Sequence, residues 1–144
     1  MALRLAGSAI PLEYNLDLLQ GVTLDKGCYL GQELIARTHY QGLVRKRVIP
    51  VLLEDALPRE SAEAELCGAD LFVAGKARRV GTVRGVCGMH GVAHVKLEDA
   101  WAALKAKEPL EARLEFGAVR LQPVAPRWWP SDLRPGGFKM NLWH

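Results

Sequence analysis

Cysteine is scarce in this chain: three in 144 residues, at positions 28, 67 and 87. No two of them form a C-x-x-C pair, which excludes a self-contained zinc site of the common kind. Three thiols alone cannot complete a four-thiolate iron–sulfur cluster either. An odd, sparse count suits a reducing compartment better than a disulfide framework. Long apolar runs are missing too, so no bilayer-spanning helix is expected. Charge of one sign is weak. A net +3 permits mild attraction to nucleic acid or anionic lipid but demands neither. His39 and His90 read as single histidines, and no metal ligand set is expected. No internal repeat is visible. What remains is a chain with 49% apolar residues, long enough for one domain with a real core and short for two.

Against that background the segment Lys26-Gly27-Cys28-Tyr29-Leu30-Gly31-Gln32-Glu33 stands out. One thiol sits between two glycines, beside a lysine and just ahead of a helical pattern. Glycines let the backbone turn tightly and leave the sulfur uncovered. Lys26 and the positive end of the following helix both favour thiolate over thiol. Leu30 and Leu34 are four apart and can share a helix face, while Gln32 and Glu33 suit a first turn or the wall of a polar pocket. Cys28 is the candidate functional thiol, with Lys26, Gly27, Tyr29, Gly31, Gln32 and Glu33 shaping its surroundings. Cys67 and Cys87 lie among apolar, strand-like neighbours and read as core residues. Arg37, Arg45, Lys46 and Arg47 form a basic cluster. It is either a solvated strand edge or an anion site in which Arg37, Arg45 and Arg47 take part.

Residues 1–43 read as a strap with a Pro11 lead-in, the Cys28 turn and a short helix around 31–38, ended by Gln41-Gly42. Strand-like runs follow at 44–53, 70–74, 79–86, 91–97, 110–114 and 118–121. Pro50 marks an edge or bulge in the first, and Gly75-Lys76 makes a hairpin turn. Residues 98–107 switch to helical spacing, with Leu97, Trp101 and Leu104 on one face and Pro109 as the stop. Six short strands and one helix in about 80 residues predict a mainly β chain with short helices, a small barrel over 44–125 rather than a parallel α/β sheet. Residues 126–144 form a tail. Trp128-Trp129 would lie as a lid on the barrel's open end, and 130–144, with Pro135-Gly136-Gly137, lacks periodicity.

The Lys26–Glu33 octapeptide resembles the K-G-C-Y-x-G-Q-E signature of folate-binding iron–sulfur cluster assembly factors, relatives of the aminomethyltransferase (T-protein) of glycine cleavage. The likeness extends to Ile10-Pro11-Leu12-Glu13 with Asn15-Leu16, to Ala36-Arg37-Thr38-His39, and to Gly42-x-x-Arg45-Lys46-Arg47. It ends at Pro126-Arg127-Trp128-Trp129-Pro130, similar to the closing segment of the animal mitochondrial branch. The resemblance implies the C-terminal β-barrel of the aminomethyltransferase-like fold, preceded by the motif-bearing strap. It also implies a mitochondrial matrix protein in the late maturation of 4Fe–4S proteins, an assembly factor rather than an enzyme. Its main residue would be Cys28, acting by redox chemistry or by transient ligation of an iron–sulfur cluster shared with a partner. Partners would be late-acting scaffold proteins and client enzymes, with no membrane and no nucleic acid. Tetrahydrofolate would be the cofactor of full-length members, whose folate region precedes this segment, so this chain should bind it weakly or not at all. Residues 1–9, with a single arginine, would be very short for a transit peptide and read as a non-native start on a partial chain. A one-carbon transferase and, more remotely, an RNA-binding barrel are the alternative readings. The second lacks interleaved aromatics and strong charge.

Overall fold

Alternation of apolar and polar residues decides which face of each strand turns inward. In the computed structural model, which describes residues 9–22, 27, 28, 30–40, 44–58 and 61–129, six strands result. They are β1 (Lys46–Leu53), β2 (Asp70–Val73), β3 (Arg79–Cys87), β4 (His90–Lys96), β5 (Leu110–Leu114) and β6 (Gly117–Pro123). They close into an antiparallel barrel in the order β1-β4-β3-β2-β5-β6. Closure comes from Val51, Leu52 and Leu53 of β1 pairing with Pro123, Gln122 and Leu121 of β6. Ile49, Val51 and Leu53 project inward from β1, and Leu71, Val83, Ala93, Val95, Leu110, Ala112 and Leu121 meet them in a continuous core. The mainly β architecture expected from the spacing is therefore present, with strand limits within a few residues of the sequence reading.

The expected edge at Pro50 is not one, because β1 is paired on both sides. Pro50 is tolerated because its backbone faces the part of β6 where the ladder has ended. There its carbonyl accepts from Val124 N at 3.0 Å. A bulge between Val83 and Gly85 resets the alternation of β3. Val86 then points in and Cys87 out. Cys87 is consequently exposed, contrary to the core position expected for it. Cys67 is half-buried just beyond a helix, not in a strand, and its thiol donates to the Arg84 carbonyl at 3.1 Å.

Among the described residues there are also three α-helices: α1 (Gln32–Tyr40), α2 (Ser61–Leu66) and α3 (Leu97–Ala106). The six-residue α2 escaped the sequence reading because it is barely longer than one turn. Its signal was Ala62 and Leu66 at i and i+4, both buried. On α3 the buried stripe is Leu97, Ala100 and Ala103, with Trp101 and Leu104 flanking it half-buried. Small residues at the centre let this helix lie close on the barrel, and the bulkier ones pack along its sides. Trp129 joins the core, while Trp128 stays half exposed against it in an edge-on arrangement. Residues 130–144 lie outside those described.

The strap's first described segment is fastened at two points. Pro11 opens a 3-10 helix, Pro11–Tyr14, and Asn15 ends it in the left-handed conformation (φ 62°) that Asn tolerates better than most residues. Asn15 is buried and donates from Nδ2 to the Val48 carbonyl at 2.7 Å. Arg47 reaches the strap from β1. Its Nη1 donates to Leu12 O at 2.9 Å, Asn15 Oδ1 at 3.1 Å and Asp17 Oδ1 at 2.8 Å, and its Nη2 to Asp17 Oδ2 at 2.7 Å. The second attachment is His94 of β4. Its Nε2 lies 2.9 Å from Glu13 Oε2, and its ring stacks on Tyr14. Burial pushes the His94 pKa below its ordinary 6.5; Glu13 pulls it up, and Arg84 and Lys46 push it down.

Arg47 is 2% exposed and its partner carboxylate 9%. Removing one member of such a pair strands the other in a dry site. Arg47→Ala is therefore expected to lower unfolding free energy by about 3–5 kcal/mol in urea denaturation. The double variant Arg47→Met, Asp17→Asn should recover much of that loss. Both changes should read out first as faster proteolysis between residues 9 and 22.

Candidate functional site

Gly27 and Cys28 are both exposed, and a side-chain carbon built at Gly27 would meet nothing within 4 Å. Leu30 is fully exposed. Gly31 adopts φ +86°, a conformation that glycine takes without strain, and its carbonyl receives the Ile35 N–H at 3.4 Å as α1 begins. The second glycine of the motif is thus required by the turn into the helix. α1 starts at Gln32, so Leu30 precedes the helix. Gln32 is half-buried in the first turn. Glu33 does not stand as a free base, since its carboxylate pairs at 2.7 Å with Arg37 one turn on, both side chains exposed. Lys26 and Tyr29 fall outside the described residues. The arrangement is an uncovered thiol on a glycine-flanked turn at the start of a nine-residue helix.

The three candidate anion-binding arginines are held apart by their separate engagements. Arg37 is paired within α1, Arg45 is exposed and gives its carbonyl to Leu97 N at 2.9 Å, and Arg47 holds the internal carboxylate of Asp17. The anion that Arg47 grips is part of the chain, so its guanidinium has no fork left for a ligand. Glu13 and Asn15 stood in the sequence only as part of the family likeness, with no role of their own, and Asp17 was not singled out. The only cue was an acid or amide every second residue after Pro11, which acquires meaning once the barrel has placed Arg47 and His94 opposite it.

Among the described residues, no group of three His, Cys, Asp or Glu side chains converges as a metal site. His90 and His94 do stand four apart, a ligand spacing on a helix. In β4 the same spacing separates them by about 13 Å along the strand.

An antiparallel six-stranded barrel carrying a strap across its first strand is the class of structure defined so far. The family described as the CAF17 C-terminal beta-barrel domain matches residues 45–131, more than half of the chain, and the chain belongs to it. Among curated relatives, the mitochondrial iron–sulfur cluster assembly factor IBA57 of Homo sapiens is 42% identical over 126 residues, which is 87% of this chain and 33% of that protein. The Mus musculus protein of the same name is 40% identical over 125 residues, again 87% and 33%. The mitochondrial IBA57 homolog of Dictyostelium discoideum is 66% identical over 47 residues, 33% of this chain and 12% of its own length. The chain thus spans about a third of the mammalian relatives it matches. The family resemblance read from the Lys26–Glu33 signature holds.

Exposure predicts how the thiols differ. Under brief alkylation of the folded chain at neutral pH, resolved by mass spectrometry, Cys28 and Cys87 should label readily. Cys67, half-buried and hydrogen-bonded to a carbonyl, should label slowly and catch up only in denaturant.

Proposed function

We propose that this chain acts in iron–sulfur cluster assembly, in the late maturation of 4Fe–4S proteins in the mitochondrial matrix, with Cys28 as its functional thiol. The observation that carries this reading is the uncovered Cys28 on its glycine turn, in a segment that resembles the family signature, in a chain similar to proteins named as mitochondrial assembly factors. One thiolate supplies one ligand to a cluster, and such a cluster needs four ligands when coordinated by thiolates. Cys28 therefore works only together with a partner that brings the others, in the way a hand-over requires: a single protein ligand on an open surface releases its cargo readily. The cluster is cargo here, carried between late-acting scaffold proteins and client enzymes. Among the described residues, no helix is long and apolar enough to cross a membrane.

Tetrahydrofolate belongs, in this reading, to the longer family members. A fused pteridine ring is held in a concave, largely apolar slot. The described surface around Cys28 is open, with nothing over Gly27 and a fully exposed Leu30. Isothermal calorimetry should accordingly give much weaker tetrahydrofolate binding to this chain than to a full-length relative. Equal affinity would place the folate site in the strap and barrel.

The direct test is Cys28→Ser in cells whose 4Fe–4S enzymes depend on the chain carrying it. Aconitase-type activity should fall while the protein's abundance and melting temperature stay unchanged. Cys67→Ser should do the reverse, lowering stability and sparing client activity. Full client activity with Cys28→Ser would reduce the motif to a structural turn.

A further inference from the structure

On the outer face of the barrel, where β1, β4 and β3 lie side by side, the strap's 3-10 helix forms one wall of a cleft of about 470 Å³. Its polar lining comes from Glu13, Lys46, Arg79, Thr82, Arg84, His94 and Lys96. The pairing register makes this convergence: Lys46 is opposite Lys96, and Thr82 is opposite His94. Elsewhere the arginines Arg37, Arg47, Arg78 and Arg120 each have a carboxylate partner. In the cleft Arg79 is held by Asp70 at 2.8 Å and Thr82 at 2.9 Å. Lys46, Arg84 and Lys96 differ: among the described residues, no carboxylate forms an ion pair with any of them. Arg84 Nε is buried without a hydrogen-bond partner. His94 Nε2 is also buried, but it has an acceptor in Glu13 Oε2 2.9 Å away. Buried donors ordinarily find acceptors, and three like charges facing one concavity repel one another unless something negative sits between them.

We propose that this cleft binds a small, multiply charged oxyanion, a phosphate-bearing or polycarboxylate compound. Its oxygens would lie among Lys46, Arg84 and Lys96, with His94 at the floor. The volume suits a small molecule. Arginine and lysine together suit clustered anionic oxygens, one as a planar fork and the other as a point charge. Glu13 sets the selectivity for charge: it is the single carboxylate in the lining, it faces His94, and it makes singly charged anions poor ligands. Protonation of His94 turns that neighbour from neutral to cationic. The groups facing its ring are Glu13 and Tyr14 from the strap, Lys46 from β1, and Thr82 and Arg84 from β3. Because a bound anion favours the imidazolium, it raises the pH at which His94 takes up its proton, and affinity increases as pH falls from 8 toward 6. The site uses neither Cys28 nor its turn, so it stands or falls separately from the cluster-assembly reading.

The experiment is a titration of the folded chain with pyrophosphate and, separately, citrate, at constant ionic strength so that screening does not change. Backbone amide NMR shifts and calorimetry supply the readouts. Saturable shifts centred on Gly81, Thr82, His94 and Lys96 are expected with at least one anion, tighter at pH 6 than at pH 8, and the anion that saturates identifies the head group. The Lys46→Gln, Lys96→Gln double variant should weaken binding about tenfold or more, and Arg84→Gln should also weaken it, with unchanged circular dichroism. Arg120→Gln, which removes one exposed charge from β6, should leave affinity unchanged. Three results would overturn the proposal: no saturation with either anion, equal loss with Arg120→Gln, or binding only to a poly-acidic peptide.

Discussion

Arg47 is the residue on which the placement of the strap depends. It lies on the inward-facing register of β1, in line with Ile49, Val51 and Leu53, yet it is a cation with 2% of its surface in water. Four hydrogen bonds to Leu12, Asn15 and Asp17 offset much of its desolvation, while its Nε stays buried without a partner. A buried pair of this kind adds little net stability over an apolar substitute, because both charges must leave water. What it adds is specificity. A guanidinium fork accepts a carboxylate in one plane and one orientation, so Asp17 can sit in one place only, and with it the chain that leads on toward Cys28. Asn15, bonded both to Arg47 and to the β1 backbone, fixes the same segment in rotation.

That constraint has a consequence for charge on the outer face. The same short helix that delivers Asn15 and Asp17 to Arg47 carries Glu13 and Tyr14 to His94. Residues 47 and 94 are offset by one position in the β1–β4 ladder, where Val48 is opposite His94. One therefore faces the interior and the other the outside, and the strap grips both sides of the same strand pair. Gly81 of β3 completes the arrangement. A side-chain carbon there would come within 2.4 Å of the His94 carbonyl and 2.6 Å of Val95 Cγ1, so only glycine lets β3 approach β4 this closely.

The barrel was legible in the sequence because each of its strands announces itself locally. β-branched alternation, Gly75, Gly117 and Pro109 all mark their elements without reference to distant residues. Closure was harder to read. Pro50 signals an edge or bulge in isolation, and only the full ladder shows a strand paired on both sides, with Pro50 just beyond the last pair with β6. Cys87 was misplaced for a related reason: the bulge at Val83–Gly85 flips the face of one strand end, and a bulge leaves no periodic trace of its own. The Cys28 turn was legible as a motif and as a glycine requirement. The roles of Arg47, Asn15 and Asp17 were not, because they pair across 30 to 35 residues and depend on a register that sequence spacing alone does not contain.

The basic cluster shows how one run of charge resolves into separate tasks. In Arg45-Lys46-Arg47 the strand period sends Arg47 inward to a carboxylate of its own chain and Lys46 outward to the cleft, while Arg45 remains in solvent just ahead of β1. Shifting the register by one residue would exchange the first two assignments, burying a lysine that has no fork for Asp17 and exposing an arginine beside Lys96. The choice of arginine inside and lysine outside follows from what each cation can do. A planar group with five donors satisfies a dry, many-acceptor site, whereas an ammonium on a flexible stem suits a wet cleft where the counter-ion comes and goes. The strap's attachment and the cleft's positive field are therefore set by the same strand and the same alternation. Neither can be moved without moving the other.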